Sequence, residues 1–135
     1  MGNTALALTG FVGWTLALLI LMEAIRSYLV LTGRVPSNGF PPDNANLSPF
    51  MQRLARAHMN CLEGLPIFGG LMAIALMTSN TAVTDGLALW LLAARIAQSC
   101  IHLASTSIWA VNFRFAAFAV QMAIGVWWTL RLLAG

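Results

Sequence analysis

Lysine is absent from this sequence, and charge of either sign is scarce. All seven basic residues are arginines, set against four acidic ones. Charged residues make up 8% of the 135, whereas a soluble domain averages about 25% because its surface must face water. The 59% hydrophobic content therefore reads as a membrane protein, not as a water-facing fold. The net charge of +3 is spread over helix ends and interiors and forms no basic stripe, so no nucleic acid is expected as a partner.

Other absences narrow the field. There is no CxxC pair and no Cys/His cluster. Cys61 and Cys100 lie in apolar segments and read as small packing residues, and no metal or disulfide is expected. No Ser/His/Asp constellation and no phosphate-cradling glycine loop can be drawn. Residues 1–13 hold no basic leader, and the apolar run continues past a usual signal core, so the first helix is expected to stay in the mature protein. Strict alternation of apolar and polar residues is lacking, which argues against strands.

Four long apolar segments are present. The expected helices cover about residues 5–32, 49–79, 84–108 and 112–134, each above the ~20 residues needed to cross a hydrocarbon core. Residues 33–49 form a long loop rich in Pro, Gly and Asn, ending in Ser48-Pro49 as the cap and first turn of the second helix. Residues 79–85 make a short turn, with Thr84 or Asp85 capping the third helix. Residues 105–112 make another. Short links imply antiparallel neighbours, so the fold class is all-α integral membrane, a four-transmembrane-helix up-down bundle forming a single domain over 1–135. Arg26, Arg34, Arg53, Arg56 and Arg114 gather at one end, which the positive-inside rule places in the cytoplasm, with both termini opposite. Trp14, Trp127 and Trp128 fit an interfacial belt on the far side. Compact loops fit a bacterial inner membrane. The methionines, among them Met22, Met59 and Met122, read as packing residues, and Gly69-Gly70 and Gly125 as sites of close helix approach.

The polar residues inside these segments carry the functional signal. Arg53, Arg56, Asn60 and Glu63 are spaced three, four and three along the second helix. At 100° per residue they share about a quarter-turn of one face. Arg95, Gln98, His102 and Ser105 repeat that spacing on the third. In an antiparallel register Glu63 falls opposite Arg95, Asn60 opposite Gln98, Arg56 opposite His102, and Arg53 opposite Ser105. The first helix adds Glu23 and Arg26. A charge at mid-bilayer costs about 2.5–3.5 kcal/mol on insertion scales, so these groups belong in a shared interior. Such residues can simply glue helices together. Taken as a set, however, their excess of arginine over glutamate suits a ligand with carboxylates, bound by forked guanidinium groups. His58 lies on another face, suited either to packing or capping or to reaching a neighbouring subunit.

The string Arg56-Ala57-His58-x-Asn60-x-x-Glu63-x-x-Pro66 resembles the signature of the MAPEG family, the membrane-associated proteins in eicosanoid and glutathione metabolism. Ala94-Arg95 followed by His102 is similar to that family's Ala-Arg with an aromatic seven residues on, and Thr32-Gly33-Arg34-Val35 is similar to its first-helix exit. The resemblance covers almost the whole chain. It implies a homotrimer among membrane lipids, with glutathione as thiol co-substrate bound between protomers near the cytoplasmic face. It also implies a lipophilic electrophile or lipid hydroperoxide as the second substrate. Arg56, Asn60 and Glu63 match glutathione-contacting positions, and His58 matches a position that is polar in several members. Gln98 and His102 match cofactor-touching positions, Arg26 lies near a basic position ending the first helix, and Arg95 completes the set. Three departures stand out. Gly64 replaces a tyrosine found in some members, and His102 replaces the usual tyrosine. The thiolate-stabilising arginine expected soon after the third helix is absent from the directly spaced Trp109 and Val111; the nearest is Arg114. The expected function is a membrane-bound glutathione transferase or peroxidase with Arg114 as the catalytic residue. The alternatives are a non-catalytic lipid- or glutathione-binding protein of the same fold, or a structural subunit.

Overall fold

In the computed structural model, which describes all 135 residues, the chain is helical with no strands. Four helices are long and apolar enough to cross a membrane: α1 (Asn3–Leu31), α2 (Pro49–Met77), α3 (Thr81–Ala104) and α4 (Ile108–Ala134). The shortest, α3, has 24 residues. At 1.5 Å per residue it spans about 36 Å, more than the ~30 Å hydrocarbon core. Only 29 of the 135 residues are buried. The outward faces carry Leu16, Ile20, Trp90, Phe113 and Leu130, a surface that suits acyl chains rather than water.

The helix ends show which local signals dominate. Ser48 accepts a hydrogen bond from the Met51 amide at 3.3 Å, with Pro49 in the first turn, as expected. The third connection is shorter and earlier than expected. Ser107 accepts from the Ala110 amide at 3.2 Å, and Ser105 accepts from the Ser107 amide at 3.0 Å. Ser107 therefore caps α4 at Ile108, and the Ser105–Ser107 turn separates it from the end of α3 at Ala104, although Ile108 is apolar enough to have extended α3. Neither Thr84 nor Asp85 caps α3, which begins at Thr81. Asp85 Oδ1 instead accepts from the Thr4 amide at 3.0 Å and from the Thr4 hydroxyl, while the Thr84 and Thr4 hydroxyls lie 2.6 Å apart. Asp85 thus serves an orphan amide in the first turn of α1, across the bundle.

Within α2 the helix widens to a π-turn over Leu65–Gly69. Pro66 has no amide hydrogen and its ring crowds the carbonyl four residues back, so one wider turn relieves the clash. The long loop is pinned through Asn44, whose buried side chain accepts from Arg26 Nε at 3.1 Å and donates to the Met51 carbonyl at 2.8 Å.

The backbone of α3 runs close to all three others, whereas the backbones of α1 and α4 stay apart. Helix α4 packs along α3 but meets α2 only in its second half, from Leu65 onward. Ala7, Phe11, Phe68, Met72, Leu91, Ile124 and Trp128 pack into one apolar cluster; Leu18, Met22, Leu54, Ala57 and Cys61 pack into another. Trp128 is fully buried in the first cluster, and Trp14 is half-buried against the second. These two indoles are therefore not an interfacial belt; only Trp127 keeps an outward position. The cause is helical phase, since Trp128 follows Ile124 by four residues on the inward face of α4.

Replacing Asp85 by Ala should lower stability by about 1 kcal/mol through loss of the α1 cap, read as a lower thermal unfolding midpoint in detergent. An unchanged midpoint would show that the cap is dispensable.

Candidate functional site

Because the first half of α2 does not reach α4, the two helices diverge toward the arginine-rich end, with α3 as the floor between them. Arg56, Met59, Asn60 and Glu63 of α2, His102 of α3 and Arg114 of α4 line the resulting cleft, of about 290 Å³. Arg114 reaches this cleft from within the second turn of α4.

The floor is held by a hydrogen-bond network. Asn60 Oδ1 accepts from Arg95 Nη1 at 2.8 Å and from Gln98 Nε2 at 3.2 Å. Gln98 Oε1 in turn accepts from Gln121 Nε2 of α4 at 2.8 Å. The expected Asn60–Gln98 pairing is present, and Arg56 and His102 share the cleft. Arg53 reaches the Leu103 carbonyl at 2.8 Å, two residues short of the expected Ser105, and so ties α2 to the end of α3.

Glu63 and Arg95 do not pair. The molecule's one salt bridge joins Arg26 to Glu23 at 3.2 Å. The reason lies in helical phase: Gly64, not Glu63, meets Arg95, so closely that a Cβ on Gly64 would lie 2.6 Å from Arg95 Nη2. Glu63, one residue back, is turned out to the cleft, where it is exposed. Arg95 is fully buried, its guanidinium near the faces of Phe11 and Phe118 at 5.2 and 6.0 Å.

The expected site residues therefore fall into three groups. Arg56, Glu63, His102 and Arg114 line the cleft, and none of them makes a hydrogen bond or ion pair within the chain. His102 is buried, with Nε2 unpartnered. Asn60, Arg95 and Gln98 form the network, with Asn60 also on the cleft wall. Arg26 and His58 lie outside the cleft. Arg26 borders a separate cavity of about 570 Å³ with Glu23, Ser27 and Phe40, and His58 is buried on the α2 face nearer the Glu23 and Arg26 charges. Gln121 is a member that reading the sequence alone misses. Its signal is the seven-residue step from Arg114, two helical turns that set both on one face.

The cleft continues away from the arginine-rich end. A neck of about 260 Å³ shares Asn60 and Glu63 with it and adds Gly64, Ile67, Phe68 and Phe118. Beyond lies an apolar groove of about 420 Å³ between α2 and α4, bordered by Ile67, Phe68, Phe118, Met122, Val126 and Leu130. Charged lining at the cleft thus gives way, through the neck, to apolar lining in the groove between α2 and α4.

The sequence model of the MAPEG family matches residues 4–134. No curated protein and no solved structure matches the chain.

Asn60→Leu should destabilise by about 2–3 kcal/mol, because it leaves buried donors of Arg95 and Gln98 without an acceptor. Arg56→Ala removes no internal bond and should stay within about 0.5 kcal/mol of wild type. Unfolding in detergent compares them, and equal losses would contradict this division between framework and cleft.

Proposed function

The chain belongs to the MAPEG family, and from that premise we propose that it is a membrane glutathione transferase or peroxidase. The observation that carries this reading is the cleft itself. Arg56, Glu63, His102 and Arg114 meet in one recess with no internal partners, beside an apolar groove. Side chains that only glued helices together would be bonded to one another, as Asn60, Gln98 and Gln121 are.

The residues fit the tripeptide's chemistry. Glutathione presents two carboxylates, an ammonium, amide groups and a thiol. Arg56 offers a guanidinium fork for a carboxylate. Glu63 accepts from the ammonium. Asn60 has its oxygen occupied by Arg95 and Gln98, which leaves its amide donor for a peptide carbonyl. Arg26 and His58 lie on the α1 side, so in this reading they serve the cleft of a neighbouring protomer in a homotrimer. The arginine-rich end, and with it the cleft, faces the cytoplasm by the positive-inside rule.

When bound, glutathione supplies a thiolate that adds to an electrophilic carbon, or two equivalents that reduce a hydroperoxide to an alcohol and water as a disulfide forms. A thiol of pKa about 8.5 is only a few per cent ionised at neutral pH. Arg114, with no carboxylate partner, is the guanidinium available to favour the ionised form. The groove brings the lipophilic substrate laterally from the bilayer, so neither reactant need leave its own solvent.

Adding glutathione to the purified protein should raise thiolate ultraviolet absorbance. Arg114→Ala should abolish that rise and lower turnover about 100-fold. A wild type with no rise, indistinguishable from Arg114→Ala, would sink this mechanism. Stabilisation by glutathione with neither thiolate nor turnover would mark a binding protein instead.

A further inference from the structure

Forming a thiolate leaves a proton to place, and an arginine cannot take it. A guanidinium is already fully protonated, so Arg56 and Arg114 attract the sulfur anion without accepting its proton. Met59 has no basic atom, and the Asn60 carboxamide oxygen is engaged by Arg95 and Gln98. Glu63 is exposed and, in the proposed reading, meets the ammonium. Of the side chains lining the cleft, that leaves His102.

His102 sits in the last turn of α3, between two fixed points. One turn back, Gln98 is bonded to Asn60 at 3.2 Å and to Gln121 at 2.8 Å. One residue on, the Leu103 carbonyl accepts from Arg53 at 2.8 Å. The ring between them makes no hydrogen bond; it is buried, and its Nε2 has no partner. An uncharged imidazole offers one acceptor nitrogen and one N–H donor. Buried polar atoms are ordinarily bonded, so an unpartnered ring nitrogen at a cleft wall points to a group that a ligand supplies.

We propose that His102 accepts the thiol proton of glutathione and returns it to the product. The S–H bond breaks, an N–H bond forms on the ring, and the electron pair stays on sulfur near Arg114. Once sulfur has bonded to an electrophilic carbon, the ring gives its proton to the carbanion or alkoxide so formed. With a hydroperoxide, the O–O bond breaks as oxygen joins sulfur, and the ring protonates the departing alkoxide. The oxidised sulfur then condenses with a second glutathione, forming the disulfide and water. The ring ends each cycle uncharged. Arg56 and Glu63 of α2 and Arg114 of α4 share the cleft with it, and α1 lends no charged group there. Uptake of a proton from water would add a third cation to that recess. Transfer from the thiol adds no net charge, which is the cheaper course among membrane helices. The inference rests on the proposed function and supplies its proton acceptor.

The test counts protons. Glutathione is added to the protein in weakly buffered detergent at neutral pH, with thiolate read by ultraviolet absorbance and released protons by an indicator dye. S-methyl glutathione, which has no thiol proton, corrects for the rest of binding. Wild type should form thiolate and release almost no protons, whereas His102→Gln should release one for each thiolate formed. Full release by wild type, or retention by the glutamine variant, overturns the proposal and leaves the proposed function standing. Absence of thiolate in wild type overturns both. Should the variant fail to fold or form no thiolate, nitrogen NMR of wild type with isotope-labelled histidine decides. The chain has two histidines, and His58→Gln identifies their signals. A His102 signal that moves to the imidazolium position with glutathione but not with S-methyl glutathione supports the transfer, and an unmoved signal overturns it.

Discussion

The carboxamide oxygen of Asn60 is the point on which the site depends. It accepts from Arg95 and Gln98 of α3, and Gln98 relays the connection to Gln121 of α4. Three helices are therefore tied together at one level by neutral amides. In a bilayer the helices gain little from hiding apolar surface, because lipid is as apolar as leucine. Packing and polar bonds must hold them, and a buried guanidinium must find an acceptor. Asn60 meets both needs. The framework is joined by the amides of Asn60, Gln98 and Gln121 and by Arg95 Nη1, so it does not consume the charged groups of the cleft, and Arg56, Glu63 and Arg114 remain free there.

The path of α4 turns that chemistry into a site. Serine caps start α4 early, and it then leans on α3 and on only the second half of α2. Divergence at the arginine-rich end opens the polar cleft, and convergence further on leaves a groove of phenylalanine, methionine and aliphatic side chains. The π-turn at Leu65–Gly69 falls where one gives way to the other and resets the facing of α2 between its polar and apolar halves. Close approach there is permitted by Gly125, where a Cβ would lie 3.0 Å from the Phe68 ring. A polar thiol and an apolar substrate could meet at such a junction with each still in its preferred surroundings. Arg26 and His58 stand apart on the α1 side, outside the cleft.

Much of this is legible in the order of the residues. Composition and segment length suffice for four spanning helices, and the three-four-three spacing sets Asn60 opposite Gln98 and Arg56 near His102. Features set by angles finer than a quarter-turn, or by choice among neighbours, are not legible in that way. Glu63 and Arg95 match in depth, yet the one-residue offset that brings Gly64 against Arg95 turns Glu63 away. Asp85 carries a cap residue's chemistry but spends it on Thr4, eighty-one positions back. Trp128 has the composition of a belt residue but the phase of a core residue. Gln121 is easily passed over, because one amide in an apolar helix looks like noise until its partner is known. Arg114 comes within reach because a turn's length, unlike a helix's phase, can absorb a shift of several residues.

The central claim is that the polar cleft and the apolar groove are one continuous site for glutathione and an alkyl chain. Thermal unfolding in detergent with glutathione, S-alkyl glutathiones of increasing chain length and unrelated thiols tests it most directly. The account predicts a higher midpoint with glutathione, a progressively larger rise as the alkyl chain lengthens, and none with the other thiols. A rise that ignores chain length, or one that any thiol produces, would contradict it.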